Sequence, residues 1–201
     1  MVDSYFNTVT KVSEILFKER NSKFYGITFP IQSENDFKEK LTEIKVQFPD
    51  AGHHCYAFRI GTEGENYRYS DDGEPNNSAG KPIYGQLLSS EVTNVGAIVV
   101  RYFGGTKLGV GGLVSAYKEA CKISLEANHV IQTELKNKFT LTFDYNQTSI
   151  VDQLASQFEL EEISAQFETN CVKVFLCSKS FSDEFEALSI EKQLDIKRAI
   201  D

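Results

Sequence analysis

Hydrophobic and polar positions change period several times along this chain, and each change marks an element. Near the N-terminus, SKFYGITFPI alternates around β-formers, which predicts a strand ending at Pro30. The period then lengthens. Phe37, Leu41, Ile44 and Phe48 share one helical stripe, Ser33 stands as N-cap with Asp36 three residues on, and Pro49 stops the run. In HHCYAFRIG the period returns to two, with His54, Tyr56, Phe58 and Ile60 on one face and His53, Cys55, Ala57 and Arg59 on the other. GTEGEN reads as a hairpin-like link to a short strand, YRYS, and DDGEPNNSAG follows as a polar loop dense in turn residues. A helix from about Lys81 to Ser90 and a strand GAIVVRYF come next. A long helix beginning near Gly112 then sets Leu113, Ala116, Tyr117, Ala120 and Cys121 on one side.

Between His129 and Lys138 the pattern weakens and the charge balance shifts, so a domain boundary is expected there, dividing residues 1–130 from 131–201. The later order reads strand (KFTLTFDY), helix (TSIVDQLASQF), strand (EEISAQFE), strand (CVKVFLCS), helix (DEFEALSIEKQL), with room for a short last strand. This is a split βαβ plan, and the chain as a whole reads as α+β. The helix DEFEALSIEKQLD reads as a solvated amphipathic face.

Composition narrows the function classes. A length of 201 residues and 41% hydrophobic content suit a globular protein of one or two domains. No apolar run is long enough to span a membrane, and the start shows no basic segment followed by an apolar one, so neither a membrane nor a secretory signal is expected. Cys55, Cys121, Cys171 and Cys177 are too scattered for a disulfide framework and suit free thiols in a reducing cytoplasm. The net charge of −8 is spread along the chain: 17 acidic against 14 basic side chains in residues 1–134, and 12 against 7 thereafter. Indiscriminate nucleic-acid binding is disfavoured by such a field, while a small basic patch remains compatible with it.

The stretch VVRYFGGTKLGVGGLVSAY carries the chemistry. Gly104, Gly105, Gly109, Gly111 and Gly112 allow close backbone approach, and a helix starting after them points its free N–H groups into the turn. Lys107 lies inside the loop, Arg101 ends the strand, and Tyr102 and Phe103 follow. Neither the Gly-Lys-Ser/Thr ending of a phosphate-binding loop nor the spacing G-x-G-x-x-G is present, so the turn reads either as an anion cradle or as a tight strand-to-helix connection. Three further groups are candidates. Ser70, Asp71, Asp72 and Glu74, with Lys81 beyond, form a loop that lacks calcium-loop spacing and also makes a good turn. His53, His54 and Cys55 offer a base and a thiol, yet two side chains on one strand face cannot close a tetrahedral metal site, and no metal is expected. Tyr67, Tyr69, Tyr102 and Phe103, beside Arg68 and Arg101, suit base stacking, although strand aromatics also build cores.

In this order, HHCYAFRIG, YSDDGEPNNSAGKPI and VVRYFGGTKLGVGGLVSAY resemble the IMPACT/YigZ family, over about residues 15–128. The second half is similar to the small C-terminal domain of bacterial members. The resemblance implies a first domain with the fold shared by a ribosomal-protein domain 2 and by sugar and mevalonate-type kinases. It implies a ferredoxin-like second domain, similar to a terminal domain of elongation factor G. In eukaryotic relatives the first domain accompanies an RWD module and acts in translational control; no such module is recognisable ahead of residue 15. The serine-rich loop of the related kinases is also missing, since Leu113 and Val114 follow the glycines. The expectation is therefore a cytoplasmic protein without cofactor or catalytic residues. Its partner would be the ribosome, RNA or a translation factor, or another phosphate-bearing ligand. An enzyme acting on a phosphorylated or carboxylated small molecule and a plain protein-interaction module are the alternatives.

Overall fold

A computed structural model describes residues 5–168 and 170–199. The chain is mixed α and β with several sheets, in two compact units: Phe6–Thr133, and Glu134 onward together with Tyr5. Elements of the first run β1 (Tyr5–Val9), β2 (Ser13–Glu19), β3 (Ser22–Pro30), α1 (Glu34–Gln47), β4 (His53–Ile60), β5 (Asn66–Ser70), α2 (Gly80–Ser89), β6 (Val95–Tyr102), α3 (Gly109–Ala127) and β7 (Val130–Glu134). β1 pairs with β7, and the other five strands form one antiparallel sheet in the order β2-β3-β6-β4-β5.

That sheet is covered on both faces. Phe24, Cys55, Ala57, Ala97 and Val99 pack with Ile83 and Leu87 of α2 and with Leu113, Tyr117, Ala120 and Cys121 of α3. On the other face Ile27, Phe29, Phe58, Ile98 and Val100 pack with Phe37 and Ile44 of α1. Central β6 is buried at seven of its eight positions, which is why VGAIVV reads as a continuous apolar run rather than an alternation, with Arg101 buried at its end. The capping box anticipated at α1 is present, with Ser33 and Asp36 bonding reciprocally across the first turn. Asp36 is held below the usual carboxylate range, chiefly by the Gln32 backbone N–H.

Three differences from the sequence reading have physical causes. Helix α3 begins at Gly109, three residues before the expected start near Gly112, so Gly109, Gly111 and Gly112 all lie inside its first turn. Tertiary packing of the later apolar stripe holds the helix, and weak glycine propensity is overridden at its exposed end. Strands β1 and β7 carry no clear alternation, and each pairs with the other, across nearly the whole unit. The pattern that weakens after His129 therefore conceals strand β7, not a plain linker.

The second unit runs β8 (Lys136–Phe143), α4 (Thr148–Gln157), β9 (Glu161–Phe167), β10 (Cys171–Ser178), α5 (Ser182–Glu191) and β11 (Asp195–Arg198), with sheet order β11-β8-β10-β9, antiparallel throughout. Its core is apolar: Phe139, Leu141, Phe143, Val151, Leu154, Phe175 and Phe185 are all buried. Phe185 anchors α5, so that helix is more than a solvated face, and it ends three residues earlier than expected, where Gln193 turns to φ +59°. Among the described residues no helix is long and apolar enough to cross a membrane.

Candidate functional site at the glycine turn

Strand β6 delivers Arg101 to the α2/α3 side of the sheet, and the chain then reverses into α3. Gly105 (φ +85°) and Gly109 (φ +73°) take left-handed conformations that side chains disfavour, so the turn itself explains these two glycines. Gly104 is explained by crowding: a Cβ there would lie 2.0 Å from the Asn21 backbone. Gly111 has neither reason. A Cβ on it would meet nothing within 4 Å, although glycine at a helical position costs about 0.5–1 kcal/mol relative to alanine. No side chain caps α3, so the N–H groups of its first turn have no side-chain partner at the cap. They border a groove of about 330 Å³ lined by Glu74, Pro75, Arg101, Phe103, Lys107 and residues of that first turn.

The floor of the groove is a buried ion pair. Arg101 Nη1 donates to Glu74 Oε1 at 2.6 Å, and the Tyr117 hydroxyl donates to the same oxygen at 2.8 Å. His53 Nε2 stands 3.8 Å away. The His53 ring is oriented by Nδ1, which lies 2.8 Å from the Asp72 carbonyl; a carbonyl only accepts, so Nδ1 carries the proton and Nε2 is turned toward Glu74. The Arg101 guanidinium lies 5.5 Å from the Phe24 ring centre and 5.6 Å from that of Phe103, a cation between two π faces. Its Nε is buried without a hydrogen-bond partner. Burial pushes the Tyr117 hydroxyl and the Cys55 thiol well above their ordinary ranges, so both stay protonated and act as donors.

The acidic loop divides its labour. Asp71 Oδ1 accepts from the Ala79 and Gly80 N–H groups at 2.9 and 2.8 Å and Oδ2 accepts from Asn77 at 2.8 Å, so Asp71 fixes the start of α2. Asp72 Oδ2 accepts from the His54 N–H at 2.6 Å, Ser70 Oγ accepts from the Asp72 N–H, and Cys55 Sγ donates to the Asp71 carbonyl. These bonds clamp the loop against β4 and press Glu74 into the interior. Lys81 is exposed on the first turn of α2. Among the described residues no three His, Cys, Asp or Glu side chains cluster so as to hold a metal ion.

The structure thus gathers His53, Glu74, Arg101, Phe103, Lys107 and the glycines, and places other candidates elsewhere. Arg101 is not a rim cation; burial and pairing with Glu74 put it beneath the groove, leaving Lys107 exposed at the edge. Tyr102 does not flank Arg101, because strand alternation turns it to the α1 face, where its ring meets Tyr25 at 6.0 Å. His54 also lies on that face, and desolvation lowers its pKa despite the opposing pull of Asp72. Tyr67 and Tyr69 stack on Tyr84 at 4.8 and 5.6 Å, at the edge strand β5. The sequence reading overlooked the role of Tyr117, taken there only as a core position. A tyrosine on a stripe of small apolar residues needs a partner for its hydroxyl, and that requirement is the signal that points to a buried acceptor.

The stretch that builds this site is similar to known proteins. The model of the Impact N-terminal domain matches residues 20–125. An IMPACT family member of Haemophilus influenzae is 35% identical over 187 residues, 90% of this chain and 89% of that protein. IMPACT family member YigZ of Escherichia coli is 33% identical over 162 residues, 80% and 78% of the two chains. A crystal structure described as that of a hypothetical protein is 27% identical, with a TM-score of 0.76 over 100% of this chain and 99% of the other. The chain belongs to the IMPACT family.

Proposed function

We propose that this is a non-enzymatic, translation-linked cytoplasmic protein that holds ribosome-associated RNA through the groove at the glycine turn. One observation carries the reading: the uncapped start of α3 opens, at Gly109 and Val110, onto the same groove that buried Arg101 lines from below, and a Cβ on Gly109 would meet nothing within 4 Å. Backbone N–H groups at a helix start favour an anion, and neutralisation of Glu74 by Arg101 removes the charge that would repel one. Lys107 then reaches a phosphate from the rim, and exposed Phe103 offers a ring to a base. Family membership supports the link to translation. At a finer level, we read the second unit's strand order as that of a ferredoxin-like domain. The first unit we read as the fold of a ribosomal-protein domain 2 and the related sugar kinases.

Co-sedimentation with ribosomes at low and moderate salt tests this reading. Lys107→Ala is expected to weaken salt-sensitive binding, with the logarithmic salt slope reduced by about one. Absence of wild-type binding at low salt would reject it.

A second reading, an enzyme for a phosphorylated or carboxylated small molecule, is favoured by the meeting of His53, Glu74, Arg101 and Tyr117 under the groove. His53 would be the proton-transfer group, because Glu74 is already held by two donors. Turnover of a phosphorylated metabolite abolished in His53→Gln would favour it over the first.

A further inference from the structure

Phe103 lines a second hollow besides the groove, one of about 300 Å³ whose other walls are Asn21, Lys23, Tyr25, Phe48 and Tyr102. Strand register explains what collects there. Lys18 of β2 lies opposite Lys23 of β3, and Lys23 opposite Tyr102 of β6, so these three side chains form one row across the sheet on the α1 face. Both lysines are exposed, and among the described residues neither has a carboxylate within ion-pair distance. Like charges placed directly opposite destabilise a strand pair, so the row is unfavourable for the fold alone and is relieved by an anion lying across it.

The rest of the hollow is aromatic. Tyr25 packs on Phe48 at 4.9 Å and meets Tyr102 nearly edge-on, at 76° and 6.0 Å, which fixes the Tyr102 ring as a wall. Phe103 keeps 57% of its surface exposed, a poor arrangement for so apolar a ring unless something covers it. Asn21 adds an exposed amide able both to donate and to accept.

We propose that this hollow is a nucleobase subsite on a track for single-stranded RNA. One base stacks on Phe103 and Tyr102 while its edge meets Asn21, and the strand's phosphates pass Lys18 and Lys23. The proposal rests on the RNA-binding reading above and deepens it by placing the base beside Phe103 in a built pocket with Asn21 at its edge and the lysines along its phosphates. The same surface fits other anions less well: the carboxylate side chains of an acidic peptide carry no ring for the aromatic walls, and a duplex keeps its bases stacked within itself.

The test uses the full-length chain and a short single-stranded RNA carrying 2-aminopurine, whose fluorescence reports stacking, beside an abasic ribose-phosphate oligomer of the same length and the free mononucleotide. Phe103→Leu and the double variant Lys18→Gln, Lys23→Gln are compared with wild type, with folding verified by circular dichroism. The expected result is a change in 2-aminopurine emission on binding, with RNA affinity lowered about tenfold in Phe103→Leu and abasic affinity unchanged. In the lysine variant both oligomers bind more weakly, and the salt slope falls by about two. Equal wild-type affinity for RNA and abasic oligomer, unaltered RNA binding by Phe103→Leu, or a mononucleotide bound as tightly as the strand overturns the subsite and leaves the phosphate reading standing. If wild type binds neither oligomer, both readings fall.

Discussion

The two units of this protein bury polar groups in opposite ways. In residues 6–133, Glu74, Arg101 and His54 lie inside, and Glu74 and Arg101 neutralise one another beneath a groove. After residue 134 the buried polar groups among the described residues are the serines Ser182 and Ser189, each returning its hydroxyl to a carbonyl four residues back. Ion pairs there use exposed carboxylates: Lys173 reaches Asp152 and Glu162 at 3.0 and 3.1 Å, and Arg198 reaches Asp183 at 2.8 Å. A buried pair is an inefficient source of stability, because desolvating two charges offsets most of their attraction. Its presence in one unit and absence from the described core of the other separates a unit that holds a charged pair beneath a groove from a domain organised around packing.

The largest effects should show that separation directly. Arg101→Ala leaves Glu74 buried and uncompensated, and a loss of about 3–5 kcal/mol is expected from urea unfolding. The paired change Glu74→Leu, Arg101→Met should restore most of that stability while ribosome co-sedimentation stays impaired. In the second unit Phe185→Ala should cost a comparable amount, about 3–5 kcal/mol, through lost packing alone and with binding at the turn retained. If Arg101→Ala is as stable as wild type, the ion pair is not the structural floor described here.

Smaller changes sharpen the contrast. Gly111→Ala should raise stability by about 0.5–1 kcal/mol, as alanine does at an unstrained helical position, and leave binding unchanged, because Gly111 does not line the groove. A stabilised variant with weakened binding would show that the ligand extends past the groove onto the outer face of the helix start. Lys173→Met should cost no more than about 1 kcal/mol, since the carboxylates it pairs with are largely in solvent. The slightest expected effect comes from His54. Desolvation depresses its folded pKa below the ordinary value near 6.5, so the unfolded chain takes up the proton first as pH falls. Stability should therefore decline below about pH 6.5 until the folded-state pKa is reached, and His54→Gln should flatten that part of the profile. An unaltered slope would assign it to other groups.

Much of the fold was legible because its signals are local. Ser33 and Asp36 form the capping box their spacing implies, and β4 splits His53 from His54 onto opposite faces. The site was legible only in part. The glycines and Lys107 lie where their motif suggested, whereas Arg101 could be read as free or paired until Glu74, 27 residues away, was seen to meet it. Tyr102 was grouped with its sequence neighbours and belongs, by strand alternation, to another hollow. Strands β1 and β7 escaped notice because their pairing spans nearly the whole first unit, and neither has an alternation that announces it.

The sequence by itself determined most of the elements, the two-part order, the glycine turn and most of the residues with chemical potential, since period, capping and turn propensity act over a few neighbouring positions. Tertiary structure alone decided which of those residues meet. It pressed Glu74 under the groove, withdrew Arg101 from solvent, left Lys107 and Phe103 at the edge and set Lys18 across from Lys23. Charge pairing and burial depend on distances between segments far apart in the chain, and those distances exist only once the sheet and its helices have packed.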